Sequence, residues 1–292
     1  KTSKSFRSYL VPYDERIKKE MMGNTLVSLN SKGKYQILLS AHIDEIGMQV
    51  TEYCENGLLK LRKIGGINPL HLIGQEVVIS SDKGVCYGVI VAKTPNNDNT
   101  IPDIDDCFID VCCHSKQDAE QLVNIGDFVT FRPNARIWEG TIVSKAVDNR
   151  VGVFILSQVL RQLTGKLNHI TLSVAATTQE EIGLRGMAIL AQQLTPDICI
   201  NIDVTDACQI NKDQLPVMGK GCVYYRNADS NPILRQMLIS IAQQANIPMQ
   251  MAVGRHITGG TDSSRIQLFS PHTAVMDLSI PCKYMHTHHE QC

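Results

Sequence analysis

Tyr35-Gln36-Ile37-Leu38-Leu39-Ser40-Ala41-His42-Ile43-Asp44-Glu45-Ile46-Gly47 decides how the rest of the chain is read. The run Tyr35–Leu39 is apolar and short, which predicts a buried strand. It ends in His-x-Asp. Residues two apart on a strand point to the same face, so His42 and Asp44 project together from its end. A metal ligand and a carboxylate that orients it can be placed this way. On its own, His-x-Asp is equally the sequence of a polar turn. The question is whether other acids and histidines occupy matching positions.

Working outward, Thr25–Leu29 reads as a second strand, joined to the first through the turn Asn30-Ser31-Lys32-Gly33. Phe6–Glu20 reads as a helix before them, and Met48–Tyr53 as strand after the His-x-Asp turn. From Leu58 to Arg136 the texture is of short strands and recurring turn residues, with one helix at Ser115–Leu122 capped by Ser115. His71 and His114 stand alone there and read as ordinary polar residues. From Ile142 onward strands and helices alternate. Helices are predicted over Val151–Leu163, Leu184–Leu194, Pro232–Ala245 and Ser263–Leu268. In the first, Val151, Phe154, Ile155, Val159 and Leu163 fall near helical spacing. Strands are predicted over His169–Ala176, Ile198–Ile202, Pro248–Val253 and Ala274–Leu278. This alternation implies an α/β fold with a largely parallel sheet covered by helices on both faces. The expected organisation is a discontinuous domain, residues 1–57 and 142–292, interrupted by a small β-rich insert, residues 58–141.

In such sheets ligands collect beyond the carboxyl ends of the strands. The strand-end residues are His42 and Asp44, Asp148 ahead of the first long helix, Glu180 and Glu181, Asp203, and His286 after the last strand. Five carboxylates in one cleft repel unless a counter-charge is present. Divalent cations supply it, and imidazole mixed with carboxylate suits zinc, cobalt or manganese better than calcium. Two such ions about 3.5–4 Å apart form a clamp for hydrolysis. Glu180 and Glu181 point in different directions, so one can bind metal while the other accepts a proton. The residues alone point to a metal-dependent hydrolase.

Composition narrows the field further. The 292 residues are 43% hydrophobic and 20% charged with a net charge of -1, which gives no basis for nucleic acid or an anionic membrane as partner. No apolar run approaches a membrane span, and no signal-peptide pattern follows Lys1. The 10 cysteines form no Cys-x-x-Cys pair, which predicts free thiols and a reducing, cytoplasmic setting.

Six segments also resemble, in order, the motifs of one family. Ala41-His42-Ile43-Asp44-Glu45-Ile46-Gly47, Ala146-Val147-Asp148-Asn149-Arg150-Val151-Gly152 and Gln179-Glu180-Glu181-Ile182-Gly183-Leu184-Arg185-Gly186 are the first three. Asp203-Val204-Thr205, Gly259-Gly260-Thr261-Asp262 and Ile280-Pro281-x-x-Tyr284-x-His286 complete the set. Together they are similar to the tetrahedral-shell metallo-aminopeptidases, which include glutamyl aminopeptidases. The resemblance implies that Asp148 bridges two divalent ions, zinc or cobalt. His42 and Asp203 complete one site, and Glu181 and His286 the other. It makes Glu180 the general base and Asp44 the carboxylate that orients His42, and it implies a cis Asp148-Asn149 peptide. The insert would be a PDZ-like dimerisation domain, with dimers assembling into a dodecamer, and the substrates short peptides that lose their N-terminal residue. The same site chemistry would serve a deacylase acting on a non-peptide amide, and the fold would also serve an inactive shell subunit. Lys283 stands where the family usually has Arg, the Ser-Gly-x-Glu opening is absent before Asn24, and the family usually continues into a further helix after the position of Cys292. Residues are therefore expected to be missing.

Overall fold

The computed structural model describes residues 17–93, 102–207, 216–254 and 260–292. Along the chain run β1 (Ile17–Lys19), β2 (Thr25–Leu29), β3 (Tyr35–His42), β4 (Gly47–Tyr53), β5 (Leu59–Ile64), β6 (Glu76–Ser81), β7 (Gly84–Ala92) and β8 (Cys107–Asp110). Then come α1 (Lys116–Leu122), β9 (Phe128–Phe131), β10 (Arg136–Trp138), β11 (Thr141–Ser144), α2 (Val147–Leu163), β12 (Ile170–Thr177), α3 (Arg185–Gln193) and β13 (Ile198–Asp206). β14 (Cys222–Tyr225), α4 (Pro232–Gln244), β15 (Met249–Ala252), α5 (Ser263–Phe269) and β16 (Ala274–Cys282) follow. The chain divides into two compact units: residues 1–44, 147–285 and 291–292 form one, and residues 45–146 with 286–290 the other.

The first unit is built on an eight-stranded sheet in the order β1-β2-β12-β3-β13-β16-β14-β15. Its centre, β12-β3-β13-β16, is parallel. The β1-β2, β2-β12 and β16-β14 pairings are antiparallel, so the sheet is mixed where the sequence reads as largely parallel. β2 and β3, joined through the Asn30–Gly33 turn, do not pair with each other. β12 lies between them, with Leu172 opposite Leu29 on one side and Ile37 on the other. The reason is visible in β12 itself, which is buried at six of its eight positions and loses most water contact when flanked by strands on both edges.

Both faces of this centre are covered. Val153, Leu156 and Leu160 of α2 pack with Leu172, Val174 and Ala176 on one face. Met187, Leu190 and Ala191 of α3 and Ile266 of α5 pack with Leu38, Ala175, Cys199 and Val275 on the other. Each fully buried Leu or Met contributes about 1.5–3 kcal/mol through removal from water. The most buried stripe of α2 is Gly152, Val153, Leu156, Ser157 and Leu160; of the residues named from spacing, Ile155, Val159 and Leu163 are partly buried and pack against the same core, while Phe154 is 53% exposed. Gly152 sets the face of closest approach, because a Cβ there would collide with the Asn149 side chain and lie 3.0 Å from the Ala41 Cβ. The expected helix over Phe6–Glu20 ends instead in strand β1 at Ile17–Lys19, and its earlier part lies outside the described residues. β14 has no counterpart among the strands predicted from the sequence.

The second unit is a closed barrel in the order β4-β5-β8-β7-β6-β9, antiparallel throughout. Met48, Val50, Leu59, Leu61, Ile79 and Phe131 are among the residues that fill it. The boundaries expected at 57/58 and 141/142 fall instead at Asp44/Glu45 and Ala146/Val147. β4 pairs with β5 and β9, so the segment after Asp44 belongs to the barrel and not to the sheet. Ser115 caps α1 by accepting from Asp118 N, as the sequence predicts. No helix among the described residues is long and apolar enough to cross a membrane.

Candidate active site

Period two explains what the centre of the sheet presents at its ends. Leu38, Ser40 and His42 share a face of β3. Ala175 and Thr177 share the matching face of β12, and Cys199, Asn201 and Asp203 that of β13. β3 and β13 pass from apolar to polar to ionisable as they near their carboxyl ends, and β12 ends in the hydroxyl of Thr177. Thr177 stands opposite His42 in register, and Asn201 opposite Ser40. β13 runs past Asp203 to Asp206, so Asp203 lies inside the strand rather than after it.

His42 is the hub. It is 2% exposed. Its Nε2 lies 3.0 Å from Asp148 Oδ1, 3.5 Å from Asp203 Oδ1 and 3.9 Å from Glu180 Oε2. Its Nδ1 lies 3.6 Å from Asp44 Oδ1. Burial alone lowers the pKa of this imidazole, but the carboxylates of Asp148, Asp203 and Asp44 outweigh it and hold the value well above the ordinary one. The acids respond in the opposite sense. Burial pushes Glu180 up to about 10 and raises Asp203 as well.

The backbone is arranged to keep these groups in place. Asp148 opens α2 through a cis peptide to Asn149, as the family resemblance implies. Asn149 Nδ2 donates to Ile202 O at 2.7 Å and Gly152 N donates to Asn149 Oδ1 at 3.1 Å, tying the helix start to β13. The Glu180-Glu181 turn follows Gln179, which has φ +59. Asp44 accepts both of its amides, Glu180 N at 3.1 Å and Glu181 N at 3.2 Å. Gly186 closes the turn where a Cβ would collide with Thr178 O and Asn24 Oδ1.

Of the residues singled out in the sequence, His42, Asp44, Asp148, Glu180, Glu181 and Asp203 come together in the first unit. His42, Asp148 and Glu181 present ligand atoms within 4.8 Å of one another, and so do His42, Glu180 and Asp203. His286 belongs to the second unit. There its Nδ1 is 3.1 Å from Gly66 O, and its amide donates to Glu290 Oε1 at 3.0 Å. The donor set fits a divalent cation. It is carboxylate-rich with an imidazole, and burial drives its acids toward the neutral form unless a positive charge compensates them. Asp262 and Thr177 were not assigned roles from the sequence. Thr177 Oγ1 donates to Asp262 Oδ2 at 2.5 Å, and the other Asp262 oxygen is buried without a hydrogen-bond partner. The position of Asp262 within a quoted motif was the one signal that could have marked it.

A model of the M42 glutamyl aminopeptidase family matches residues 23–292, and the chain belongs to that family. A lysyl aminopeptidase of Pyrococcus furiosus is 31% identical over 283 residues, spanning 94% of this chain and 81% of the relative. A glutamyl aminopeptidase of Lactococcus lactis subsp. cremoris is 26% identical over 267 residues, spanning 87% of this chain and 74% of the relative. Among solved structures, a TET aminopeptidase from the marine sediment archaeon Thaumarchaeota archaeon SCGC AB-539-E09 matches with a TM-score of 0.91 at 29% identity. That match covers 98% of this chain and 84% of the other. The TET1 peptidase of Pyrococcus horikoshii, which can assemble into a tetrahedron or a large octahedral shell, matches with a TM-score of 0.87 at 30% identity, covering 99% and 88%. The family and these relatives place the chain among peptide hydrolases of the aminopeptidase class.

Proposed function

We propose that the chain is a two-metal aminopeptidase that removes the N-terminal residue from short peptides. The observation that carries this reading is the convergence of two carboxylate pairs on the single imidazole of His42. In this reading Asp148 would be shared between two ions, with His42 and Asp203 holding one and Glu181 the other. His286 is assigned as the remaining ligand on its motif alone. Bound divalent ions, zinc or cobalt, would polarise the scissile carbonyl and lower the pKa of the attacking water.

Glu180 is the general base. It takes a proton from the water as its oxygen adds to the carbonyl carbon, and returns a proton to the leaving amine as the C–N bond breaks. Its side chain is 10% exposed, which limits proton exchange with bulk solvent during that interval. Asp44 positions both glutamates through their amides and faces the far nitrogen of the His42 ring. The barrel unit is read as the PDZ-like dimerisation element of a homo-oligomer, with dimers building a dodecamer in the cytoplasm. The shells named for the Pyrococcus horikoshii relative support the homo-oligomer.

The test is hydrolysis of an aminoacyl-arylamide panel by protein stripped with a chelator and then reloaded with zinc or cobalt. Free-amine substrates should turn over only after reloading, and N-acetylated versions should not. Preference for the acetylated substrates would replace this reading with a deacylase.

A further inference from the structure

α5 begins in an unusual way. Asp262 occupies its N-cap position, where an aspartate ordinarily accepts from the first free amides of the helix, yet its side chain makes no capping bond. The residues on either side are pinned. Thr261 Oγ1 donates to Asp277 Oδ1 at 2.9 Å, and Ser263 Oγ donates to Asp277 Oδ2 at 2.7 Å. Asp277 also accepts from Asn201 Nδ2 at 3.2 Å, so the start of α5 is fixed to β16 and β13. Held between these anchors, the Asp262 carboxylate turns from the helix to Thr177, 2.5 Å away.

Thr177 is the last residue of β12 and the last before the segment that carries Glu180 and Glu181. It is fully buried, and its carbonyl accepts from Ile43 N at 2.8 Å, between His42 and Asp44. The far end of the same turn is also held by α5, where Arg265 Nη2 donates to Gly183 O at 3.3 Å. The first turn of α5 therefore brackets the Glu180-Glu181 turn at both ends. The bracket sets where that turn leaves the sheet, and Asp44 then sets its amides.

We infer that Asp262 is a positioning residue for the reaction: acting through the Thr177 hydroxyl, it fixes the departure point of the Glu180-Glu181 turn and so the placement of both glutamates. This inference rests on the two-metal aminopeptidase reading. A carboxylate that gives up its capping role and buries an oxygen without a partner carries a cost, and among the described residues the hydrogen bond from Thr177 is what offsets it.

The experiment compares Asp262→Ala, Asp262→Asn, Thr177→Val and the double variant Asp262→Ala/Thr177→Val in the full chain. Each is measured for kcat and KM on an aminoacyl-arylamide, for zinc affinity by competition with a chromophoric chelator, and for the visible absorption of the cobalt-loaded protein. Supporting elements of this kind are worth about 10- to 100-fold in affinity or rate. Asp262→Ala and Thr177→Val should each lose kcat within that range with KM changed less than about threefold, and both should alter the cobalt spectrum, which reads the ligand geometry directly. The double variant should match the singles, because both break one contact. Asp262→Asn keeps an acceptor for the hydroxyl and should restore kcat to within about threefold of the parent.

Wild-type kcat and spectrum in Asp262→Ala overturn the inference, as does a loss in Asp262→Asn equal to that of Ala. So does a double variant whose losses multiply. If the parent protein itself neither binds zinc nor cleaves any free-amine substrate, the aminopeptidase reading has failed instead. Near-ultraviolet circular dichroism of each variant separates misfolding from misplacement, and a variant that has lost its fold is replaced in the comparison by Thr177→Ser, which keeps the hydroxyl and should behave as the parent.

Discussion

Replacing Asp44 with Asn should loosen the site without emptying it. Each Asp44 oxygen accepts one amide of the Glu180-Glu181 turn, at 3.1 and 3.2 Å, and Oδ1 lies 3.6 Å from His42 Nδ1, which is buried and has no hydrogen-bond partner. An Asn side chain offers one acceptor oxygen, so its NH2 must face either a backbone N–H or the imidazole. One hydrogen bond to a charged acceptor is lost, worth about 1.5–3 kcal/mol. Metal affinity should therefore fall by roughly 10- to 100-fold, since about 1.4 kcal/mol corresponds to a factor of ten. The metal-free protein should lose about 1.5–3 kcal/mol of unfolding free energy. Zinc competition titrations measure the first effect and urea unfolding of stripped protein the second. Parent-like zinc affinity with an unshifted urea midpoint would refute the claim that Asp44 holds the turn.

Glu180→Gln should retain zinc binding and lose about 100- to 10,000-fold in kcat, the contribution of a general base; near-normal arylamide turnover would remove Glu180 from that role. Leu156→Ala, at a fully buried position between α2 and the sheet, should cost about 2–5 kcal/mol in urea unfolding. Asp277 tests the buried network under α5 through pH. Burial raises its pKa from 3.8 to about 6, against the pull of Ser263, Thr261 and Asn201. Because the folded value lies above the unfolded one, its stabilising contribution is fully present below about pH 4 and is lost as pH rises through about 6, on the order of 3 kcal/mol. Unfolding free energies of parent and Asp277→Asn, measured from pH 4 to 7, should diverge in that direction, and parallel pH profiles would contradict it.

Much of this site was readable from the strands alone. His42, Glu180, Glu181 and Asp203 stand where short apolar runs give way to polar residues, and that transition is a property of local sequence. The separation of β2 from β3 was not legible, because the sequence shows two strands joined by a turn and not that β12 takes an edge of each. The exposed position of Phe154 was equally hidden, since helical spacing defines a stripe but close approach at Gly152 chooses which one faces the sheet. Asp262 was the least legible. Its motif was visible, but a carboxylate at a helix start reads as a cap, and only the geometry of Thr177 shows that it is used otherwise.

The order β12-β3-β13 has a consequence for how activity is acquired. His42 meets Asp148 across 106 residues of sequence, and Asp44 meets Glu180 across 136. No contiguous fragment shorter than those spans can assemble the cluster, however well its own strands form. Loop closure over such distances comes late and is slow. Regain of metal affinity during refolding should thus trail the recovery of secondary structure, so a metal-binding signal would time the final step of sheet assembly.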